Sequence, residues 1–370
     1  MIYLDYSATT KPNRAVLEYF NLVSIKYFAN ANSIYSIGRN SKKAIKRASE
    51  QLLNTLGFDN HEIIYTSCAT EANNLAIKGV LEALIGSKNR IITNLFEHSS
   101  VIAPINILQK KGIKVSIVQH DESGRVDLEH LKSLMGADVA LVSIGSVNSE
   151  IGIRQPLSEI AKIVHEGGSI LHCDATQSIG KEVLGLREAD LVTFSAHKFY
   201  GIKGIGALVK RKDVALTAQL HGGTSTTIYR AGTPNTPLIL SLKKAVTIIY
   251  KNHAKKYAKV KLLNMYLRGL LDQLPYIVIN SPKDALPHIL NFSVMGISSH
   301  KLINLLSKKE IFLSNHSACS SNSEKSLAVL ALTNDEKRAQ SSIRVSISHL
   351  TTKYELDVLI KELKKIGKAI

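Results

Sequence analysis

Two short segments carry the side chains best suited to chemistry. His172-Cys173-Asp174-Ala175-Thr176-Gln177 ends one apolar run, and Ser195-Ala196-His197-Lys198 ends another. If both runs are strands of one sheet, their ends deliver an Asp, a Gln, a Ser, a His and a Lys to a single edge. Open α/β sheets bind ligands there, outside the carboxyl ends of the strands. An Asp that can pair with a pyridinium nitrogen and a Lys that can form a Schiff base are the minimum equipment for pyridoxal phosphate. Either segment by itself reads as a strand end with ordinary polar caps. Together they point to a cofactor.

Other junctions add to the set. Ser67-Cys68-Ala69-Thr70-Glu71 follows a strand-like run and opens a helical one. Backbone N–H groups at such a helix start, beside the positive end of its dipole, suit a phosphate. A plain N-cap by Ser67 or Thr70 would explain the same residues. His98 sits at another strand-to-helix junction. There it could stack on a flat cofactor and move a proton, or simply begin a helix. Asn148 follows a third strand-like run, and Thr233 lies in a loop before a long helical stretch. Arg344, within an apolar strand-like run, needs a counter-charge. A bidentate substrate carboxylate and a structural ion pair are equally good solutions. Cys319, in a Ser-rich polar loop, is a candidate nucleophile.

The elements that must position these residues alternate. Strand-like runs at 62–66, 90–93, 114–118, 139–144, 169–174, 191–195 and 206–209 are separated by helical patterns at 71–84, 99–111, 128–135 and 157–166. Such alternation predicts a mostly parallel sheet with helices on both faces. Pro237 opens a helical pattern continuing to about residue 271. Beyond it the order changes to strands at 276–279, 288–294, 311–313 and 343–347, with helices at 299–307 and 352–366. We therefore expect an α/β fold in two parts: a large domain over 11–255, and a smaller α+β domain from 1–10 and 256–370 carrying the Cys319 loop.

Composition bounds the rest. The 370 residues are enough for one large domain and a smaller one. No apolar run approaches the ~20 residues needed to cross a bilayer. The start has neither a charged leader nor an apolar signal core, so the cytoplasm is expected. Three widely spaced cysteines, Cys68, Cys173 and Cys319, form neither a disulfide framework nor a metal-binding pair. The net charge of +17 comes from scattered lysines interleaved with acids, without an aromatic-interleaved basic patch. Direct nucleic-acid binding and membrane association are therefore not expected.

In this order the segments resemble the cysteine desulfurases, class V members of the fold-type I pyridoxal-phosphate enzymes. The motifs run nearly end to end, from Tyr3-Leu4-Asp5-Tyr6 through Ala69-Thr70-Glu71, Glu97-His98, Asp174-Ala175-Thr176-Gln177, His197-Lys198, Ser317-Ala318-Cys319 and Ser342-Ile343-Arg344. The resemblance implies that Lys198 forms the Schiff base and Asp174 keeps the pyridine nitrogen protonated. It implies that Gln177 bonds the phenolic oxygen, that His98 stacks on the ring and moves a proton, and that Ala69, Thr70, Ser195 and His197 hold the phosphate. Thr233 is similar to a phosphate ligand supplied by a second subunit, which implies a homodimer. Asn148 and Arg344 match the pair that grips the carboxylate of L-cysteine, and Cys319 the thiol that accepts its sulfur as a persulfide for an acceptor protein. The Ser-Ala-Cys-Ser context is similar to the IscS/NifS-like branch with its long loop. The alternatives are a selenocysteine lyase or another class V enzyme, or a non-catalytic cofactor-binding subunit of a sulfur-transfer assembly. The acceptor's pathway is open among iron–sulfur assembly, tRNA thiolation, cofactor biosynthesis and DNA modification. Departures include Cys68 and Ala196 where the family carries Gly, and the chain stops at Ile370 without a longer tail.

Overall fold

The computed structural model of the chain describes residues 1–182, 185–315 and 325–368. Its elements run β1 (Ile2–Tyr3), α1 (Arg14–Lys26), α2 (Ser36–Leu56), β2 (His61–Thr66), α3 (Ala69–Ala83), β3 (Arg90–Thr93), α4 (Ser99–Lys110), β4 (Lys114–Ile117), α5 (Leu128–Leu134), β5 (Val139–Ser143), α6 (Leu157–Glu166), β6 (Ile170–Asp174), β7 (Leu191–Ser195) and β8 (Gly206–Arg211). They continue with α7 (Thr236–Tyr250), α8 (His253–Leu271), β9 (Ile277–Ile279), β10 (Ile289–Val294), α9 (Ser299–Ser307), β11 (Ile311–Phe312), α10 (Leu327–Thr333), α11 (Glu336–Ser341), β12 (Ser342–Ser346) and α12 (Lys353–Gly367).

Seven strands form the main sheet in the order β2-β8-β7-β6-β5-β3-β4. The five from β7 to β4 are parallel, and β8 pairs antiparallel with both β7 and β2. β5 and β7 are buried along their whole length, as strands covered on both faces must be. The period-2 pleat sends alternate side chains to separate cores. Val192 and Phe194 join the core under α1, α2, α6 and α7, while Leu191 joins the one under α3 and α4.

The smaller part holds the antiparallel sheet β12-β10-β9 and the parallel pair β1-β11. Its own apolar core gathers Leu4, Val260, Leu267, Phe292, Val345 and Leu359. The N-terminal strand thus belongs with residues some three hundred positions away.

Three expectations need correction. The helical pattern from Pro237 to 271 is two helices, because Lys251 turns extended after α7 and Asn252, with a left-handed φ of 57°, begins α8. The break separates chain packed on the sheet core, such as Ile249, from chain packed on the smaller core, such as Val260. Helices α1 and α2 had no counterpart in the sequence reading. The buried face of α2 is Gly38, Ser41, Ile45, Ala48 and Leu52, a 3-4-3-4 spacing written mostly in small residues. Short α10 and α11 were likewise unassigned.

Candidate active site

The carboxyl ends of β5, β6 and β7 open on a cleft of about 270 Å³. Asp174, Gln177, Ser195, His197 and Lys198 line it, as do Ala69, Thr70, His98, Asn148 and Arg344. Ten of the twelve residues expected from sequence therefore meet in one place. Thr233 is exposed on its loop and does not line the cleft of its own chain. Cys319 lies outside the described residues.

Asp174 is the last residue of β6. Its Oδ1 accepts the Thr176 N–H at 2.9 Å and its Oδ2 accepts Asn73 Nδ2–H at 2.8 Å. Asn73, wholly buried on α3, is itself held: its Oδ1 accepts from the Thr193 hydroxyl, and its Nδ2 also donates to Ser100 Oγ at 2.9 Å. Beside Asp174, Glu97 is pushed up to about 8 by burial and by the charge of that carboxylate, against the bonds to its Oε1 from Gly145 N–H and Asn94. At neutral pH Glu97 is mostly protonated.

Lys198 ends a tight turn, Ala196–Lys198, immediately after β7. Its Nζ donates to the Ser7 carbonyl at 2.7 Å, and Gln177 Nε2 donates to the same oxygen at 3.1 Å. The N-terminal segment is thus the second wall of the site. It also anchors the turn, since Thr10 N–H and hydroxyl both donate to the His197 carbonyl at 2.8 Å. Tyr200, two residues on, has a φ of 68°, a strained value for a bulky side chain. Its N–H donates to Thr10 Oγ1 at 2.6 Å and its hydroxyl lies 2.6 Å from Ser348 Oγ. Such strain persists only where surroundings over-determine it.

One end of the cleft suits an anion. Helix α3 starts at Ala69, with Cys68 as an N-cap whose side chain makes no capping bond. Neither Ser67 nor Thr70 caps it, so the capping alternative fails and the first-turn N–H groups remain for a ligand. Ser195 Oγ is buried and without a partner. His197 is lowered to about 4 by burial and by neighbouring lysines, Lys198 first, so its ring is neutral and can donate.

His98 is the N-cap of α4 and accepts the Ser100 N–H on Nδ1 at 3.1 Å. A neutral ring with Nδ1 accepting carries its proton on Nε2. Burial lowers its pKa. Both sequence readings of His98 are therefore realised, a helix cap and a ring in the cleft.

At the other end, Arg344 is 1% exposed. Its Nη2 meets Asp5 Oδ1 at 2.7 Å and its Nη1 donates to the Ser149 carbonyl at 2.9 Å, while Nε has no partner. The ion pair is present, and a further donor remains buried at the cleft. Asn148 builds its own loop: Oδ1 accepts from Glu150 and Ile151 N–H, and Nδ2 donates to the Phe96 carbonyl at 2.9 Å. One Nδ2 proton is left over.

Sequence reading assigned no role to Asn73, Glu97 or Ser7. Glu97 stood beside His98 in a matched motif. Ser7 acts through its carbonyl, which no side-chain pattern reveals. Among the described residues no cluster of His, Cys, Asp and Glu could hold a metal, and no helix is long and apolar enough to cross a membrane.

A carboxylate fixed by two donors, an amine 2.7 Å from a fixed carbonyl, an uncapped helix start and an orphaned buried hydroxyl fit a flat pyridine aldehyde carrying a phosphate. Comparison with known proteins agrees. The aminotransferase class-V family model matches residues 2–359. The cysteine desulfurase IscS of Clostridium botulinum is 36% identical over 374 residues, covering 99% of this chain and 94% of the relative. The human cysteine desulfurase is 35% identical, covering 98% and 80%. A solved NifS-like protein superposes with a TM-score of 0.93 at 33% identity over the whole of both chains.

Proposed function

The chain belongs to the class V aminotransferases, as a pyridoxal-phosphate-dependent cysteine desulfurase of the fold-type I architecture, and on that premise we propose how its own residues divide the work. The observation that carries the assignment is the convergence of Lys198, Asp174 and His98 on one cleft with the uncapped start of α3.

Lys198 would hold the aldehyde of pyridoxal phosphate, and Asp174, fixed by Asn73 and Thr176, would pair with its ring nitrogen. Ala69, Thr70, Ser195 and His197 take the phosphate, with Thr233 reaching the same group from a second subunit. When bound, pyridoxal phosphate supplies the electron sink that makes the α-proton of a substrate labile. His98 would cover the ring with its proton on Nε2; to accept a proton on Nδ1 it must release its bond from Ser100. Arg344 and Asn148 grip the carboxylate of L-cysteine with the donors the fold leaves unused. The Cys319 thiolate then attacks the substrate sulfur. An S–S bond forms as the C–S bond breaks, the C–S electron pair stays with carbon, and protonation of the β-carbon with return of the α-proton yields alanine. The product on the enzyme is a Cys319 persulfide, which a sulfur-acceptor protein takes up. The nucleophile must remain a reduced thiol, which favours a cytoplasmic setting.

We assign the oligomer as a homodimer. Leu22, Ile25, Phe28, Ile34 and Tyr35 form an exposed apolar run along α1 and the start of α2, as a surface covered by a second copy would. The division into a domain of 11–255 and one of 1–10 with 256–370 is supported by the separate cores.

Borohydride reduction and peptide mapping test the cofactor assignment: the adduct falls on Lys198, and a label on another lysine defeats it. Alanine release tests the sulfur step. Cys319→Ser abolishes it with pyridoxal phosphate still bound, while Cys68→Ser and Cys173→Ser retain it. Cys173 is wholly buried, which pushes its thiol up and out of reach of the chemistry. Full activity in Cys319→Ser would remove the persulfide from the mechanism.

A further inference from the structure

The loop after β6 carries a lysine that the mechanism above does not use. Lys181 is 6% exposed, and among the described residues no carboxylate forms an ion pair with it. Its Nζ lies 2.5 Å from Oε1 of Gln177, one helical turn earlier in the same loop. Gln177 is equally buried, lines the cleft, and gives one Nε2 proton to the Ser7 carbonyl at 3.1 Å. That carbonyl also accepts Lys198 Nζ at 2.7 Å.

These contacts determine the amide's orientation. The two ends of a glutamine amide are nearly the same size, so a burial site by itself does not choose between them. Here both ends are constrained. A carbonyl oxygen, Ser7 O, can only accept, so it must face the NH₂ end. Lys181 faces the oxygen end as a donor. Nε2 has two protons, and Ser7 takes one; the second remains for the cleft. A donor on Oε1 also polarises the amide, which strengthens its N–H bonds in a low-dielectric interior.

We propose that Lys181 is a positioning residue that locks the Gln177 amide as a hydrogen-bond donor into the cofactor cleft. The proposal rests on the assignment of Gln177 and Lys198 given above. Lys181 acts on the cofactor's phenolic oxygen through Gln177 and touches neither cofactor nor substrate. Burial, then the charges of Lys198 and Arg344, hold the Lys181 ammonium well below the usual lysine range. A charged partner on the phenolic oxygen side would lessen that burden, so occupancy of the cleft and protonation of Lys181 favour each other.

The readout is the pH titration of the absorbance of bound pyridoxal phosphate, which needs no turnover. Loss of the oriented donor favours the protonated cofactor, so the midpoint moves to higher pH. Lys181→Met is expected to raise it by about one unit, the scale of one differential hydrogen bond. Lys181→Arg, which keeps a donor, moves it by less than half as much. In a Gln177→Ala background, Lys181→Met should add nothing further, because residues acting through one contact are not additive. A folded, cofactor-loaded Lys181→Met with an unmoved midpoint overturns the proposal. So does a shift of equal size in the Gln177→Ala background, which would make Lys181 a charge acting directly. Should Lys181→Met not fold, Lys181→Ala, which also removes the donor on Gln177 Oε1, carries the same comparison with the same two outcomes deciding. Borohydride mapping of every protein separates this result from the premise: a wild type not labelled on Lys198 fails the functional assignment, whatever Lys181 does.

Discussion

The two ends of the cleft are built differently. The cofactor end rests on adjacent strands of one sheet: Asp174 ends β6, Ser195 ends β7, and Asn73 of α3 ties Asp174 to Thr193 and Ser100 through direct side-chain bonds. These partners of Asp174 all lie on the sheet or on helices packed against it. The carboxylate end is assembled from three remote segments, with Arg344 of β12 bonded to Asp5 and to the Ser149 carbonyl. The first arrangement fixes where the reacting ring must lie. The second lets substrate recognition depend on the smaller part staying docked. A preorganised end affects the chemical step, whereas a gripping end affects substrate capture.

Substitutions can separate these roles. The largest effect is expected from Asp174→Ala, which removes a fixed charge at the reacting ring. We expect kcat to fall roughly 10²–10³-fold, the scale of losing one preorganised electrostatic partner, with little change in KM. Next comes Arg344→Ala. A charge-assisted contact is worth about 1.5–3 kcal/mol, so KM for L-cysteine should rise roughly tenfold to a hundredfold with kcat largely kept. If both variants altered the same constant, the two ends would not be functionally distinct. An unchanged KM in Arg344→Ala with a lowered Tm would reduce Arg344 to its ion pair with Asp5.

Asn73→Leu sharpens the contrast within the cofactor end. It leaves Asp174 Oδ2 without its donor and should destabilise the fold by about 1–3 kcal/mol, the cost of an unsatisfied buried group. Thermal denaturation would show it, and an unshifted Tm would mean that the network of Asn73 is dispensable.

The smallest effect is a pH slope. Glu97 has its pKa raised to about 8 in the folded chain, above the ordinary carboxyl range. Its contribution to stability is therefore complete below the unfolded pKa of about 4.3 and is lost as pH rises through the folded value. Glu97→Gln should flatten the decline in stability between those limits in denaturant titrations at several pH values. A slope identical to that of the wild type would mean that Glu97 is ionised in the fold.

Most of the fold and much of the site were legible beforehand. The strand ends at Asp174 and Ser195 follow from short apolar runs bounded by polar residues. The meeting of these ends on one edge follows from βα alternation. Helix α2 was missed because its inward face is written in Gly38, Ser41 and Ala48, which bear little apolar signal. Its 3-4-3-4 spacing was the available clue. The break at Asn252 was missed because helical periodicity is continuous across it, while the residues on either side serve different cores.

By itself the sequence determined the chemistry on offer: a lysine, an aspartate, a histidine and a helix start, each following a strand, in an order similar to that of one enzyme family. Local pattern suffices for this, since strand, turn and helix start are set by neighbours a few residues apart. Tertiary structure decided how those groups are held. Asp5 and Arg344 are 339 positions apart, Ser7 and Lys198 are 191 apart, and Asn73 and Asp174 are 101 apart. No local signal links such pairs, because a hydrogen bond depends on distance and direction in the folded chain, and the carbonyl of Ser7 that receives both Lys198 and Gln177 belongs to a backbone every residue shares.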